Sequence, residues 1–225
     1  MAPRTTRSGT TRSGTTGPKA PVVPWRVGTV ELADVDLEQL VTAVSVRGDA
    51  EELHAEDVEV VAARFADLRL IGGRLGRARF TDLEVDACDL SGLDLGEAQW
   101  QRVAVAESRL AGVSLAGGGL RDVTFAEVRG VRLDARFATL RAVRFTGCDL
   151  TEADLTAATL DGVEFADCRL AQARFAEATL VRTTFTGCDL SGVQGVTGLR
   201  DAVVDAATLT TLAPALASAA GIAVR

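Results

Sequence analysis

Residues 143–202 divide without a gap into three lines of twenty: VRFTGCDLTEADLTAATLDG (143–162), VEFADCRLAQARFAEATLVR (163–182) and TTFTGCDLSGVQGVTGLRDA (183–202). Phe145, Phe165 and Phe185 fall in one column, Cys148, Cys168 and Cys188 in another, and Leu150, Leu170 and Leu190 in a third. Through these lines the apolar residues return every five positions as far as Leu190, and the residue two before each is small or aliphatic. The series runs back through Phe125, Leu120, Leu115, Leu110, Val105, Trp100, Leu95, Leu90, Val85, Phe80, Leu75, Leu70 and Phe65. A helix would return at three and four and a half-buried strand at two, so neither template fits. A chain that turns a corner every five residues does fit. Two side chains of each five face a shared axis, and four sides close a coil of about twenty residues that stacks on the next.

The frame yields seven rows over residues 63–202, with weaker rows starting at Val23 and Ala43. Phrases such as CDLTEADLTAATL (148–160) and CRLAQARFAEATL (168–180) resemble the pentapeptide-repeat family, whose pattern is A(D/N)LXX, over roughly two thirds of the chain. The resemblance implies an all-β fold, a right-handed quadrilateral parallel β-helix of about seven regular coils. At the usual strand spacing of ~4.8 Å this makes a rod of roughly 34 Å, or about 43 Å if nine coils form. The inward columns predict a core containing Phe65, Phe80, Trp100, Phe125, Phe145, Phe165, Phe175, Phe185, Cys148, Cys168 and Cys188.

Composition divides the rest. Residues 1–26 carry Arg4, Arg7, Arg12, Lys19 and Arg26, no acid, and little to bury, which predicts a disordered basic tail. An Arg-rich, acid-free start also has the composition of a transit peptide, but lacks an amphipathic stripe. Residues 27–62 are expected to form an amino-terminal cap and irregular coils, 63–202 the β-helix, and 203–225 a helical cap. In that last segment Asp205 is the expected N-cap, Leu209, Leu212 and Leu216 share helical spacing, Pro214 marks a break and Gly221 a stop, predicting one kinked helix or two short ones. Neither a secretory signal nor a long uninterrupted apolar run is present, so a cytoplasmic location without membrane contact is expected.

Chemistry is sparse. Cys88, Cys148, Cys168 and Cys188 stand a multiple of twenty apart, so their thiols form a parallel ladder instead of converging on a metal, and read as buried structural groups. His54 precedes the regular coils without a nucleophile partner and reads as a surface or capping residue. GGRLGRARF (72–80) and AGGGL (116–120) fall inside the five-residue register and begin no strand-to-helix unit, so they are not phosphate loops. No catalytic, cofactor or metal residue is expected. Val85 and Val105 stand where five other rows have Phe, so Trp100 is expected to supply the missing volume, with Gly118 making room beside it. Gly130 and Ala135 interrupt the inward column while Val131, Leu133 and Phe137 lie off it, predicting a bulge or register shift there.

The outer surface is left to carry function. The tail accounts for +5 of a net charge of −7, leaving −12 on residues 27–225, which argues against direct nucleic-acid binding by the folded body. The column Arg69, Asp89, Arg109, Arg129, Asp149, Arg169, Asp189 reads as a stabilising charge ladder, and Thr139, Thr159 and Thr179 mark a nearly uncharged contact face. Members of the resembled family include DNA mimics that bind type II topoisomerases and inhibit or protect DNA gyrase. That resemblance implies a non-enzymatic protein acting through protein contacts, with Asp89, Asp94, Asp149, Asp154 and Asp189 as candidate partner-contact acids. It also implies a possible homodimer through the carboxy-terminal cap, at Leu209, Leu212 and Leu216. The alternative is a structural or regulatory scaffold whose partner is unrelated to DNA.

Overall fold

A computed structural model describes residues 17–37 and 39–223. The chain winds into a parallel β-solenoid of about nine turns closed by one carboxy-terminal helix. Four faces recur in every regular coil, exemplified by residues 79–81 (face 1), 84–86 (face 2), 89–91 (face 3) and 94–96 (face 4). The corner between faces 1 and 2 is residue 82, followed by corners at 87, 92 and 97. Faces 1 and 2 are continuous strands that turn at an unpaired corner, such as Arg79–Asp86, Gln99–Ala106, Gly119–Ala126 and Thr139–Thr146. Each pairs with its neighbour at an offset of twenty, as in Val103↔Val123 and Phe145↔Phe165. Faces 3 and 4 touch through one bridge per coil, in the series Arg69↔Asp89↔Arg109 and Arg74↔Asp94↔Ser114.

Turning so often forces many corners into the left-handed region. Asp82, Arg102, Asp122, Glu107 and Glu127 all have φ between 47 and 56°, a conformation non-glycine residues adopt at a cost. It is maintained because the two inward residues per side are buried and each backbone amide finds the next coil.

The core divides its volume between columns. Phe125, Phe145, Phe165 and Phe185 stack nearly parallel, with centroids 4.7 to 4.9 Å apart. Beside Val85 and Val105, Phe80 meets Trp100 edge-on at 5.3 Å, and Trp100 extends the stack to Phe125 at 6.2 Å. Phe175 meets Phe185 edge-on, while Phe65, in the first regular coil, is only partly buried. Gly118 has a different role from the one its position predicts. A side chain there would collide with the carbonyl oxygens of Ala98 and Leu115, so it clears backbone and not the indole.

The expected lapse at Gly130 does not break the coil. Bridges run through it at Arg109↔Arg129↔Asp149 and Ser114↔Asp134↔Asp154, in unchanged register. Leu133 occupies the inward column two before Ala135, and both are buried, so a large residue on one inward position offsets a small one on the other. Leu150 of the next coil closes over Gly130. Only Phe137 is displaced, standing 66% exposed at a left-handed corner. The one register shift among the described ladders lies earlier, between Val46 and Gly48.

The carboxy-terminal end is sealed by α1 (Ala206–Ala219), a single helix that runs through Pro214 instead of breaking there. Asp205 accepts from the Thr208 amide as N-cap. Gly221 at φ 73° with the Ile222 amide bonded to Ala217 forms a Schellman stop. The last coil exposes amides with no further strand to receive them. Asp205 takes that of Gly187, the Thr208 hydroxyl that of Cys188, and the Thr211 hydroxyl that of Leu190.

The amino terminus departs from expectation. Residues 1–16, including Arg4, Arg7 and Arg12, lie outside the described residues, but residues 17–24 lie against the solenoid instead of free of it. The Lys19 amide donates to Asp122 at 3.2 Å and the Val22 amide to Asp82 at 2.9 Å.

Candidate interaction surface

Aspartates at the first position of faces 3 and 4 hold the turns. Asp89 accepts from the Ser91 amide and hydroxyl, Asp149 from those of Thr151, and Asp189 from the Ser191 amide. Asp94 and Asp154 likewise accept the amides of Gly96 and Thr156. A short carboxylate reaching the amide two residues on is the Asx turn, and it explains why the acid recurs where the chain turns tightly. All five of these candidate contact acids are half-buried.

A second set of acids stands at the corner between faces 2 and 3. Its column reads Asp67, Ala87, Glu107, Glu127, Gly147, Asp167, Gly187. The four acids are exposed, and none is in an ion pair among the described residues. The Glu127 and Asp167 carboxylates lean over Gly147 and Gly187 of the following coil, where a side chain would collide with them. Coils lacking a corner acid carry Asp89, Asp149 or Asp189 two residues on. Every coil from 67 to 189 therefore adds one carboxylate to this edge. The coils with a corner acid carry Arg69, Arg109, Arg129 or Arg169 on face 3 instead, so positive charge flanks the edge without entering the corner.

Face 1 is not the uncharged plane its threonines imply. Thr139, Thr159 and Thr179 pair in register, but the adjacent outward column supplies Arg121 and Arg141. With Arg79, Gln99 and Gln101 these border a shallow depression over Gly117, Gly118 and Gly119. Face 1 is thus basic around this depression, with Glu59 and Asp161 in the same columns on either side.

Other groups are quiet. The four cysteines are free and buried. Burial pushes the Cys88 thiol up to about 11, and the adjoining Cys148 and Cys188 thiols, together with burial, push Cys168 upward as well. Their S–H groups face backbone carbonyls, as Cys188 faces those of Phe165 and Thr186. His54 is exposed on a short strand paired with Arg74. Among the described residues no cluster of His, Cys, Asp or Glu is arranged to hold a metal, and no helix is long and apolar enough to cross a membrane. On α1, Leu212 is buried while Leu209 and Leu216 are partly exposed, lining an apolar groove with Val196, Leu199 and Val204.

Four-sided coils in a twenty-residue register, inward Leu, Phe, Ala and Cys columns and Asx-capped corners define a pentapeptide solenoid. Residues 133–194 match the family model described as pentapeptide repeat region, so the chain carries a pentapeptide-repeat region. No curated protein matches it in sequence. Among solved structures it is similar to full-length QnrB1, described as a plasmid-mediated fluoroquinolone resistance protein. The TM-score is 0.51 at 13% identity, over 79% of this chain and 98% of that one. A pentapeptide repeat protein from the cyanobacterium Cyanothece 51142 matches at TM-score 0.45 and 18% identity, over 54% of this chain and 91% of that one. At 13% identity the likeness to QnrB1 is one of fold alone.

Proposed function

We propose that this protein is a non-enzymatic interaction rod of the cytoplasm that presents its acidic edge to a DNA-binding surface of a protein partner, with the type II topoisomerase DNA gyrase as the specific candidate. The carboxylate contributed by every coil from Asp67 to Asp189 carries this reading. Coils ~4.8 Å apart give one carboxylate per step, against one phosphate per ~3.4 Å along a DNA strand. The edge thus approaches the charge spacing of one strand, although the net charge of the body falls far below that of a duplex. The resistance attributed to QnrB1 sets the matching assay here: gyrase supercoiling titrated with the protein, with and without a quinolone.

Replacing Asp67 and Asp167 by Asn, and Glu107 and Glu127 by Gln, leaves every turn-holding acid in place. That variant is expected to lose inhibition or protection while keeping its fold, and wild-type binding is expected to weaken steeply with salt. Undiminished activity in the variant refutes charge mimicry. The exposed Leu209 and Leu216 favour a second reading, a scaffold that docks or dimerises through its apolar end, and that reading requires binding insensitive to salt.

A further inference from the structure

Residues 17–24, GPKAPVVP, place proline at 18, 21 and 24. Proline fixes φ near −65°, and a residue before proline is driven to extended backbone. Pro18, Pro21 and Pro24 with Gly17, Ala20 and Val23 therefore bias six of eight positions toward polyproline II before any contact forms. That helix advances ~9.3 Å per three-residue turn. Two coils of the solenoid advance ~9.6 Å. A proline every third residue consequently meets an equivalent corner at every second coil, and the contacts obey this rule. The amide after Pro18 bonds Asp122, and the amide after Pro21 bonds Asp82, two coils away. Gly17 then rests against the Arg144 guanidinium.

The corner column fixes the register. It reads Ala62, Asp82, Arg102, Asp122, Ala142, Gly162, Arg182, so acceptors stand two coils apart once and nowhere else. Arg102 between them holds Asp82 through two bonds of 2.6 Å, which orients the carboxylate and keeps its ionisation well below the usual range. Asp122 is only 8% exposed, its Oδ1 receiving the Lys19 amide while its Oδ2 lies 3.7 Å from the Arg121 guanidinium.

We propose that the corner between faces 1 and 2 is a recognition track for polyproline II segments with prolines three residues apart, and that residues 17–24 are its resident ligand in the free chain. The external ligand is a proline-rich segment of a partner protein, which displaces the chain's own. This inference is independent of the acidic edge and of any topoisomerase.

The test uses the full chain and a labelled synthetic peptide of residues 15–26. Wild type, whose track is filled by a tethered ligand at millimolar effective concentration, should bind the peptide weakly. Pro18→Gly, Pro21→Gly and Pro24→Gly together loosen the resident segment and should tighten peptide binding at least tenfold. Adding Asp82→Ala and Asp122→Ala to that variant should abolish binding, and Ala62 and Ala142 show that alanine fits this corner. In wild type the Lys19 and Val22 amides should exchange with solvent at least tenfold more slowly than free peptide. Asp122→Asn, which keeps an acceptor, should preserve that protection for Lys19. No peptide binding to the glycine variant, equal binding after the aspartates are removed, or unprotected amides in wild type would each overturn the proposal.

Discussion

Phe165 is the position where the stacked core is most exposed to a decisive test. It is 1% exposed and lies between Phe145 at 4.9 Å and Phe185 at 4.8 Å, both rings within 5° of parallel. Phe165→Ala removes a ring that no neighbour can replace, because the backbones above and below are held by their own ladders. Such truncations cost about 3–5 kcal/mol, and breaking two aromatic contacts places this one at the upper end. For a chain of this length each kcal/mol moves Tm by about 2–4 °C, so a fall of roughly 10–20 °C is expected. Phe165→Leu keeps most of the volume and loses only the ring contacts, so its fall should be less than half as large. Thermal melts followed by far-ultraviolet circular dichroism, with urea titrations in parallel, read both variants. If Phe165→Ala shifted Tm by less than about 4 °C, or matched Phe165→Leu, the stack would not be a principal source of stability.

The end cap makes a separate prediction: Thr208→Val preserves shape but leaves the Cys188 amide unbonded, costing about 1–3 kcal/mol and raising end-to-end association in light scattering. Removal of the Asp82 carboxyl should flatten the acid limb of stability. Its folded ionisation is depressed, chiefly by Arg102, so its contribution is full above the unfolded value of about 3.9 and disappears as pH falls through the folded value. Urea midpoints of wild type and Asp82→Ala between pH 6 and 2 should therefore converge at the acid end. Replacing Asp89, Asp94, Asp149, Asp154 and Asp189 by Asn should retain the turns, since the amide oxygen accepts the same bond, whereas Ala at all five should lower the urea midpoint. Finally, a thiol reagent at pH 8 should label the four buried cysteines only after denaturant is added.

Period five was sufficient to read the coil because the inward positions answer to one constraint, burial against the next coil. Phe145, Cys168 and Leu190 appear in the sequence as they appear in the fold. The lapse at Gly130 misled because a column was followed singly, whereas packing conserves the volume of both inward positions, and Leu133 supplies what Ala135 lacks. Asp89 and Asp149 are legible as acids, but their engagement depends on the amide two residues on, which composition does not display. The corner acids Glu107 and Glu127 form no continuous column in the sequence, because Ala87, Gly147 and Gly187 interrupt it. The few apolar groups of residues 17–24 predict disorder. The binding information of this segment lies in the spacing of Pro18, Pro21 and Pro24, which acquires meaning only beside the coil height.

The uninterrupted offset of twenty also makes the rod divisible. Excising residues 144–163 would join Val143 to Glu164, the same step in the frame, and let each remaining ladder close on a new neighbour. The product would be shorter by one strand spacing, ~4.8 Å, with the terminal helix α1 intact. Length in this molecule is thus a setting adjusted in whole units, and a partner that grips both ends would register each unit as a change in span.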